Sequence, residues 1–244
     1  MKSHGIVIGC DQNLEYLIPV WFSFYSTHNN LPVTFVDFGV SKEMQSFCKK
    51  HFNFIELNEI FTESKDVSLE NQIKWESLYS NEFWNFRSQW FKKPHACLLS
   101  PYDYSLWVDV DCLVYKNLSH LFSEIQDDVV FSIRAEGLDQ IELEKSMQIC
   151  FQDETTFNSG VILYSNTHPI LKLWKEKSLN ESHLFIGDQH ALSRAIYESN
   201  SNIIPLPNAY NWSYAWKDHP EIMIHHFHGA GKILMIEKFL VFHK

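Results

Sequence analysis

Short apolar runs alternate with helix-like segments along most of this chain, and this alternation strongly limits how it can fold. The pattern is typical of strands joined by crossover helices in a mostly parallel sheet. It predicts strands over residues 5–9, 33–37, 104–108, 128–134, 158–164 and 221–227. It predicts helices over residues 14–26, 41–52, 75–99 with a bend at Pro94, 138–150, 168–178, 187–199 and 233–243, and a polar loop or flap over 57–72. At 244 residues, without repeats or linkers, we expect one α/β domain over 1–244.

The composition excludes several classes of function. The formal net charge of −10 argues against general affinity for nucleic acid, because such proteins need a basic surface. The five cysteines are scattered without Cys-x-x-Cys pairs, which favours reduced thiols in the core. No apolar stretch approaches about 18 residues, and the N-terminal apolar run is too short for a secretion signal. We therefore expect a cytoplasmic protein with no nucleic-acid partner.

An acidic pair follows the strand predicted over 104–108. Asp109 and Asp111 are separated by Val110. In an extended backbone alternate side chains point the same way, so these carboxylates would lie about 6–7 Å apart on one face. Like charges at this spacing repel unless a cation or hydrogen bonds hold them, and open α/β sheets bind ligands at the carboxyl ends of strands. The pair indicates a divalent cation site, with a solvated acidic turn as the alternative.

A loop rich in histidine and glycine, His226–Lys232, follows the last predicted strand. The imidazole of His226 would complete an oxygen-rich metal site and favour Mn²⁺ over Mg²⁺. Gly229 lets the backbone approach a ligand closely, and Lys232 offers a point charge to a phosphate. Zinc is unsupported, because neither cysteine partners nor a His-Glu-x-x-His spacing accompany the histidines. A purely structural loop is the alternative.

Other polar groups suit a sugar phosphate. The segment FNSGV begins a strand with an amide, a hydroxyl and a bare backbone position, so Asn158 could contact sugar hydroxyls. Asp188 and Gln189 begin a predicted helix, either as ordinary capping residues or as groups that hold a substrate hydroxyl. Arg87 and Lys93 precede the acidic strand and are candidate cations, although most such side chains are solvated.

In this order, the motifs resemble the retaining glycosyltransferases of family 8, which include glycogenin and bacterial lipopolysaccharide galactosyl- and glucosyltransferases. The matching landmarks are GIVIGCDQN at the first strand, Lys93, Asp109-Val110-Asp111, FNSGVILY at 157–164, Gly187-Asp188-Gln189, Leu206-Pro207 with Tyr210-Asn211, and the His-x-x-Gly-x-x-Lys series of His226, Gly229 and Lys232. The resemblance implies a single-domain glycosyltransferase A-type fold. It also implies transfer of a hexose, glucose or galactose, from a UDP-sugar to a hydroxyl with retention of configuration.

The resemblance further implies a role for each landmark. We assign metal ligation to Asp109, Asp111 and His226, with Mn²⁺ as the expected ion and Mg²⁺ as the alternative. We assign catalysis to Asp188, Gln189 and Asn158. We assign donor binding to Cys10, Asp11, Asn13, Arg87, Lys93, Asp109, Val110, Gly229 and Lys232.

The expected partners are a UDP-sugar donor and an acceptor that is a glycan, a lipid-linked molecule or a protein. The tail helix over 233–244 could touch a membrane surface, but we expect it to cover the core instead. Two other classes stay open: a non-catalytic relative that binds nucleotide-sugar or glycan, and a sugar-phosphate nucleotidyltransferase. The latter would need a first loop rich in glycine and arginine, which residues 10–14 do not provide.

Overall fold

The computed structural model describes residues 2–58, 67–79, 81–125 and 129–242. In this part of the chain the strands are β1 (His4–Cys10), β2 (Val33–Asp37), β3 (Asn53–Glu56), β4 (Tyr104–Val108), β5 (Cys112–Val114), β6 (Phe131–Ala135), β7 (Phe157–Ser165), β8 (Ile204–Pro205), β9 (Trp212–Ser213) and β10 (Ile224–His226). The α-helices are α1 (Ile18–His28), α2 (Lys42–His51), α3 (Leu69–Tyr79), α4 (Trp84–Trp90), α5 (Lys93–Leu98), α6 (Ser119–Ser123), α7 (Leu138–Ser146), α8 (Pro169–Asn180), α9 (Asp188–Ser199) and α10 (Lys232–Phe242).

The central sheet has the strand order β3-β2-β1-β4-β7-β6-β8. Strands β3, β2, β1 and β4 are parallel, and β8 is parallel to β6. Strand β7 is antiparallel to both β4 and β6, so its amino end lies beside the carboxyl end of β4. A smaller sheet with the order β5-β10-β9 adjoins this edge of the molecule. The predicted α/β class with a mostly parallel central sheet is confirmed.

Helices cover both faces of the central sheet because the strand residues alternate between two apolar layers. Ile6 and Ile8 of β1 pack with Trp21 of α1 in one layer. Val7 of the same strand packs with Trp174 of α8 in the other layer. Every second side chain of a buried strand faces the same helices. Because both faces of the central strands are covered, both sets of side chains are apolar, and the near-continuous apolar runs correctly predicted these strands.

Several predicted boundaries are wrong. The continuous helix predicted over 75–99 is divided into α3, α4 and α5. Pro94 lies in the first turn of α5, where a missing N–H costs nothing, so it marks the start of a helix and not a bend. Helix α3 begins at Leu69, inside the segment predicted as a loop, while 59–66 lie outside the described residues. The late strand predicted over 221–227 is the three-residue β10. The capped helix predicted from Ser41 is confirmed, since Ser41 Oγ accepts a hydrogen bond from Met44 N.

The C-terminal helix α10 packs its Met235 into the core, against the layer that contains α1. Ile233, Leu240 and Val241 on the same helix are exposed. Among the residues that the structure describes, no helix combines the length and apolarity needed to cross a bilayer.

Candidate active site

A cleft of about 840 Å³ opens where β4 ends and β7 begins. The first residues of α9 and α10 and the end of β10 complete its walls. The cleft brings together these sequence-predicted residues: Lys93, Asp109, Asp111, Asn158, Asp188, Gln189, His226, Gly229 and Lys232. They come from segments more than a hundred positions apart, and the antiparallel β7 is what places Asn158 beside the end of β4.

Lys93 lies at the centre of one charged cluster in this cleft. Its Nζ is 3.0 Å from both carboxylate oxygens of Asp109 and 3.3 Å from Asp188 Oδ2. It also donates to the hydroxyl of Ser159 at 3.0 Å, and this hydroxyl donates to Asp188 Oδ2 at 2.8 Å. Burial acts to lower the pKa of Lys93, but the charges of Asp109 and Asp188 outweigh it and raise the pKa above its ordinary value. The lysine therefore stays charged and holds two carboxylates together.

Asp111 forms a second cluster with His226 and Lys232. Its Oδ1 lies 3.3 Å from His226 Nε2, and its Oδ2 lies 3.0 Å from Lys232 Nζ. Burial acts to raise the pKa of Asp111, but the positive charge of Lys232 outweighs it and holds the pKa well below its usual range. The carboxylate of Asp111 is therefore ionised inside the cleft, with Oδ2 paired to Lys232 and Oδ1 facing His226.

The acidic pair does not have the extended geometry that the sequence predicts. Strand β4 ends at Val108, and Cys112 N donates to Asp109 O at 3.1 Å, so the backbone turns between the two acids. Trp107 Nε1 donates to Asp109 Oδ1 at 2.7 Å and, together with Lys93, turns this carboxylate toward β4. Asp111 faces His226 instead, so the two carboxylates serve different clusters.

The residues around Asp111 fit a divalent cation. One ligand atom each from Asp111, His226 and Cys112 lies within 4.8 Å of the others, and within the described residues Asp109 does not join this group. The Cys112 thiol is buried among apolar side chains, and burial raises its pKa well above the ordinary value, so it is a protonated core thiol. The donors that fit a cation are the carboxylate of Asp111 and the imidazole of His226. The other ring nitrogen of His226, Nδ1, lies 3.0 Å from Asn211 Oδ1, an arrangement common around metal-binding histidines.

The charges that line the cleft also favour a cation. Five carboxylates face three cationic side chains, so two negative charges remain uncompensated within the described lining. The carboxylates are Asp109, Asp111, Glu136, Asp139 and Asp188, and the cations are Lys93, Arg134 and Lys232. Like charges gathered in a partly buried cleft repel each other, and a divalent cation would remove this imbalance.

A hydrogen-bonded network of amides forms the opposite wall of the cleft. Glu136 Oε1 accepts from Asn158 Nδ2 at 2.7 Å and from Gln189 Nε2 at 3.1 Å. The other oxygen of Glu136 pairs with Arg134 at 3.3 Å. The sequence analysis did not select Glu136 or Arg134. The signal for Glu136 was its place directly after β6, at the same edge of the sheet as the acidic pair.

Arg87 does not line the described cleft, so the described contacts do not support its role in donor binding, which stays a prediction. Its side chain is 1% exposed and donates to the backbone carbonyls of Ile186, Phe185 and Ser182. The guanidinium also lies 5.2 Å from the centre of the Trp75 ring. In this arrangement the guanidinium supports the loop that leads into α9.

Two other predicted donor contacts place their side chains in the core. Cys10 and Val110 belong to the apolar layer that packs on α1, so each can offer a ligand only its backbone. Burial raises the pKa of the Cys10 thiol well above its ordinary value. Asp11 and Asn13 follow β1 nearer the surface, where Asn13 Nδ2 donates to Asp11 Oδ2 at 2.6 Å. Neither of them lines the described cleft.

No protein-family model and no curated protein sequence matches this chain. Solved structures match it along most of its length at low sequence identity. The galactosyltransferase LgtC in complex with donor and acceptor sugar analogues has a TM-score of 0.67 and 14% identity, over 97% of this chain and 95% of its own. Mouse xyloside xylosyltransferase 1 has a TM-score of 0.58 and 14% identity, over 94% of this chain and 99% of its own. The bifunctional glycosyltransferase WbbM has a TM-score of 0.62 and 12% identity, over 98% of this chain and 50% of its own. These likenesses show a glycosyltransferase fold, whereas membership of family 8 stays a prediction.

Proposed function

We propose that this protein is a cation-dependent glycosyltransferase that moves a hexose, glucose or galactose, from a UDP-sugar to an acceptor hydroxyl with retention of configuration. The observation that carries the proposal is the cluster of Asp111, His226 and Lys232 inside a deep cleft of a fold that glycosyltransferases share. One domain over 1–244 would carry the activity. The five cysteines are all free and buried, in keeping with a reducing cytoplasm as its location.

Asp111 and His226 would hold the divalent cation, and Asp109, the third predicted ligand, would join them only by exchanging its contacts with Lys93 and Trp107. An imidazole among oxygen ligands favours Mn²⁺, with Mg²⁺ as the alternative. When bound, the cation offsets the negative charge that grows on the departing diphosphate. Lys232, now paired with Asp111 at 3.0 Å, would be released by the cation and become available to the same diphosphate.

The donor would lie across the carboxyl ends of β1 and β4. Asp11, Asn13 and the backbone of Cys10 would contact the nucleoside, and the backbones of Val110 and Gly229 would approach the diphosphate. Lys93 would affect the donor indirectly, through Asp109 and Asp188, because both carboxylates already share its ammonium.

Asn158, Asp188 and Gln189 would surround the transferred sugar. Asp188 is paired with Lys93 and accepts from Ser159, which stabilises its charge and makes it a weak nucleophile. We therefore assign Asp188 to stabilising the positive charge that develops on the sugar.

In the transfer step, the acceptor oxygen bonds to the anomeric carbon. The bond to UDP breaks with its electron pair leaving on the phosphate oxygen, and the acceptor proton passes to that oxygen.

Aromatic side chains of the cleft suit a sugar acceptor. Tyr79, Trp90 and Trp216 line the cleft, and aromatic faces beside polar groups are a common surface for sugar rings. A glycan, free or carried by a lipid or protein, is therefore the acceptor class that we propose.

A donor screen tests the proposed function. UDP release is measured for each of a panel of nucleotide sugars, with Mn²⁺ and with chelator, and the anomeric configuration of the released or transferred sugar is read by NMR. We expect UDP release from UDP-glucose or UDP-galactose with Mn²⁺ but not with chelator. We also expect the sugar to keep its anomeric configuration. Consumption of pyrophosphate would indicate a nucleotidyltransferase, and UDP binding without turnover would indicate a non-catalytic relative. Inverted configuration would contradict the proposed stereochemistry.

A further inference from the structure

A chain of hydrogen bonds connects Glu136, in the amide network of the cleft, to the proposed metal site. Asn158 donates through Nδ2 to Glu136 Oε1 at 2.7 Å. Asn211 donates through Nδ2 to Asn158 Oδ1 at 2.9 Å, and Asn211 Oδ1 lies 3.0 Å from His226 Nδ1. Asn158, Asn211 and His226 are all buried, so water does not compete with these bonds. We call these four residues the amide relay.

Each link of the relay fixes the orientation of the next. A carboxylate only accepts hydrogen bonds, so Glu136 faces the NH₂ group of Asn158 and leaves Asn158 Oδ1 on the other side. The backbone N–H of Gly160 donates to the same Oδ1 at 3.1 Å and holds this orientation independently. Asn211 must then turn its NH₂ toward Asn158 and its oxygen toward His226. Because that oxygen only accepts, the Nδ1 atom of His226 carries a proton.

The tautomer decides what His226 offers to the cleft. With the proton of the neutral imidazole on Nδ1, the Nε2 atom carries a lone pair, and it faces Asp111 Oδ1 at 3.3 Å. Two acceptors directed at each other this closely are unfavourable unless a positive charge lies between or beside them. A neutral imidazole with one nitrogen free and the other held by a second residue is the form that binds metals.

We propose that Asn211 is a positioning residue for the metal site. With Asn158 and Glu136 behind it, Asn211 keeps His226 in the tautomer whose Nε2 can bind the cation. The inference rests on the proposed function in one respect, that His226 is a metal ligand. It gives Asn158 a task besides sugar contact, because both atoms of its amide are already engaged within the protein.

Two substitutions of one residue separate positioning from a general structural role. Asn211→Leu removes the acceptor with little change in volume, so the proton moves to Nε2 and is donated to Asp111. We expect the affinity for Mn²⁺, measured by EPR titration, to fall about 10–100-fold. Asn211→Asp keeps an oxygen acceptor for Nδ1 but loses the donor to Asn158 Oδ1, so it should bind Mn²⁺ clearly better than Asn211→Leu does. Glu136→Leu should have a smaller effect than Asn211→Leu, because the Gly160 N–H still holds Asn158.

The tautomer itself is read by ¹⁵N NMR of His226 in metal-free protein at pH 9. We expect a proton on Nδ1 in the wild type and in Asn211→Asp, and on Nε2 in Asn211→Leu. A wild-type proton on Nε2 would overturn the inference, as would an unchanged Mn²⁺ affinity in folded Asn211→Leu. If the wild type bound no Mn²⁺, the proposed metal role would fail, while the NMR measurement would still decide whether the relay sets the tautomer. The wild-type measurement also stands if a variant fails to fold.

Discussion

Replacing Lys93 by methionine tests the charge arrangement beneath the proposed active site. The ammonium of Lys93 is buried and lies 3.0 Å from Asp109 and 3.3 Å from Asp188. Methionine fills a similar volume without charge, so the two carboxylates would be left close together and uncompensated. Breaking a buried ion pair from one side costs about 3–5 kcal/mol. At about 2–4 °C per kcal/mol for a chain of this size, the midpoint of thermal unfolding should fall by about 10 °C.

The loss of stability should depend on pH. Burial already raises the pKa of Asp109, against the opposing charge of Lys93, so removal of Lys93 raises it further above its unfolded value of about 3.9. A carboxyl whose pKa is raised by folding binds more protons in the folded state, so stability falls as the pH rises from about 4 through the folded pKa. The deficit of Lys93→Met should therefore be smaller at pH 5 than at pH 8.

Lys177 provides a matched control for this experiment. It is also buried, and it pairs with Glu181 at 3.1 Å and Glu198 at 2.7 Å, but the side chains of these glutamates are 42% and 45% exposed. In Lys177→Met these acids return to water, so the loss should be about 1 kcal/mol or less. Circular dichroism melts of both variants at pH 5 and pH 8 give the comparison. Equal melting temperatures for the two variants, or a larger deficit of Lys93→Met at pH 5, would refute the reasoning.

Three further experiments test other parts of the protein. In Gly160→Ala a Cβ would lie 2.5 Å from His226 Nδ1, so we expect loss of Mn²⁺ binding by EPR, whereas Gly137→Ala, with nothing within 4 Å, should keep its melting temperature. Arg87→Met should lower the free energy of unfolding by at least about 3 kcal/mol, because three backbone carbonyls lose their hydrogen-bond donor. A tenfold weaker UDP affinity in a folded variant would instead support the prediction that Arg87 contacts the UDP-sugar. Because the pKa of Asp111 is held below its usual range, its contribution to stability is present above about pH 4 and is lost as the pH falls further. The stability gap between metal-free wild type and Asp111→Asn should thus narrow in acid, and a constant gap in urea titrations from pH 7 to pH 2 would count against the pairing with Lys232.

The elements that sequence predicts well are those whose signal is local. The helix after Ser41 has its own cap, and β4 is an apolar run that ends in charge. Strands β3 and β5 were not predicted, because four and three residues carry too little periodicity. The division of 75–99 into three helices depends on how α4 packs, which a propensity pattern does not contain.

The candidate site shows the same limit. The sequence analysis selected residues that the fold gathers in one cleft, because each follows or begins an element at the same edge of the sheet. It missed Glu136 although this residue directly follows β6, and it could not predict the burial of Arg87, which depends on partners distant in the chain. The sequence analysis also could not predict the turn after Val108. The hydrogen bonds of Trp107 and Lys93 to Asp109 override the alternation of side chains in an extended strand.

The central claim is that a divalent cation held at Asp111 and His226 binds a nucleoside diphosphate in this cleft. Calorimetric titration of UDP into the wild type and into Asp111→Asn, each with Mn²⁺ and with chelator, tests it most directly. We expect wild-type UDP affinity to be at least about tenfold higher with Mn²⁺, a coupling of about 1.4 kcal/mol, and this difference to vanish in Asp111→Asn. Equal UDP affinity with Mn²⁺ and with chelator in the wild type would contradict the account.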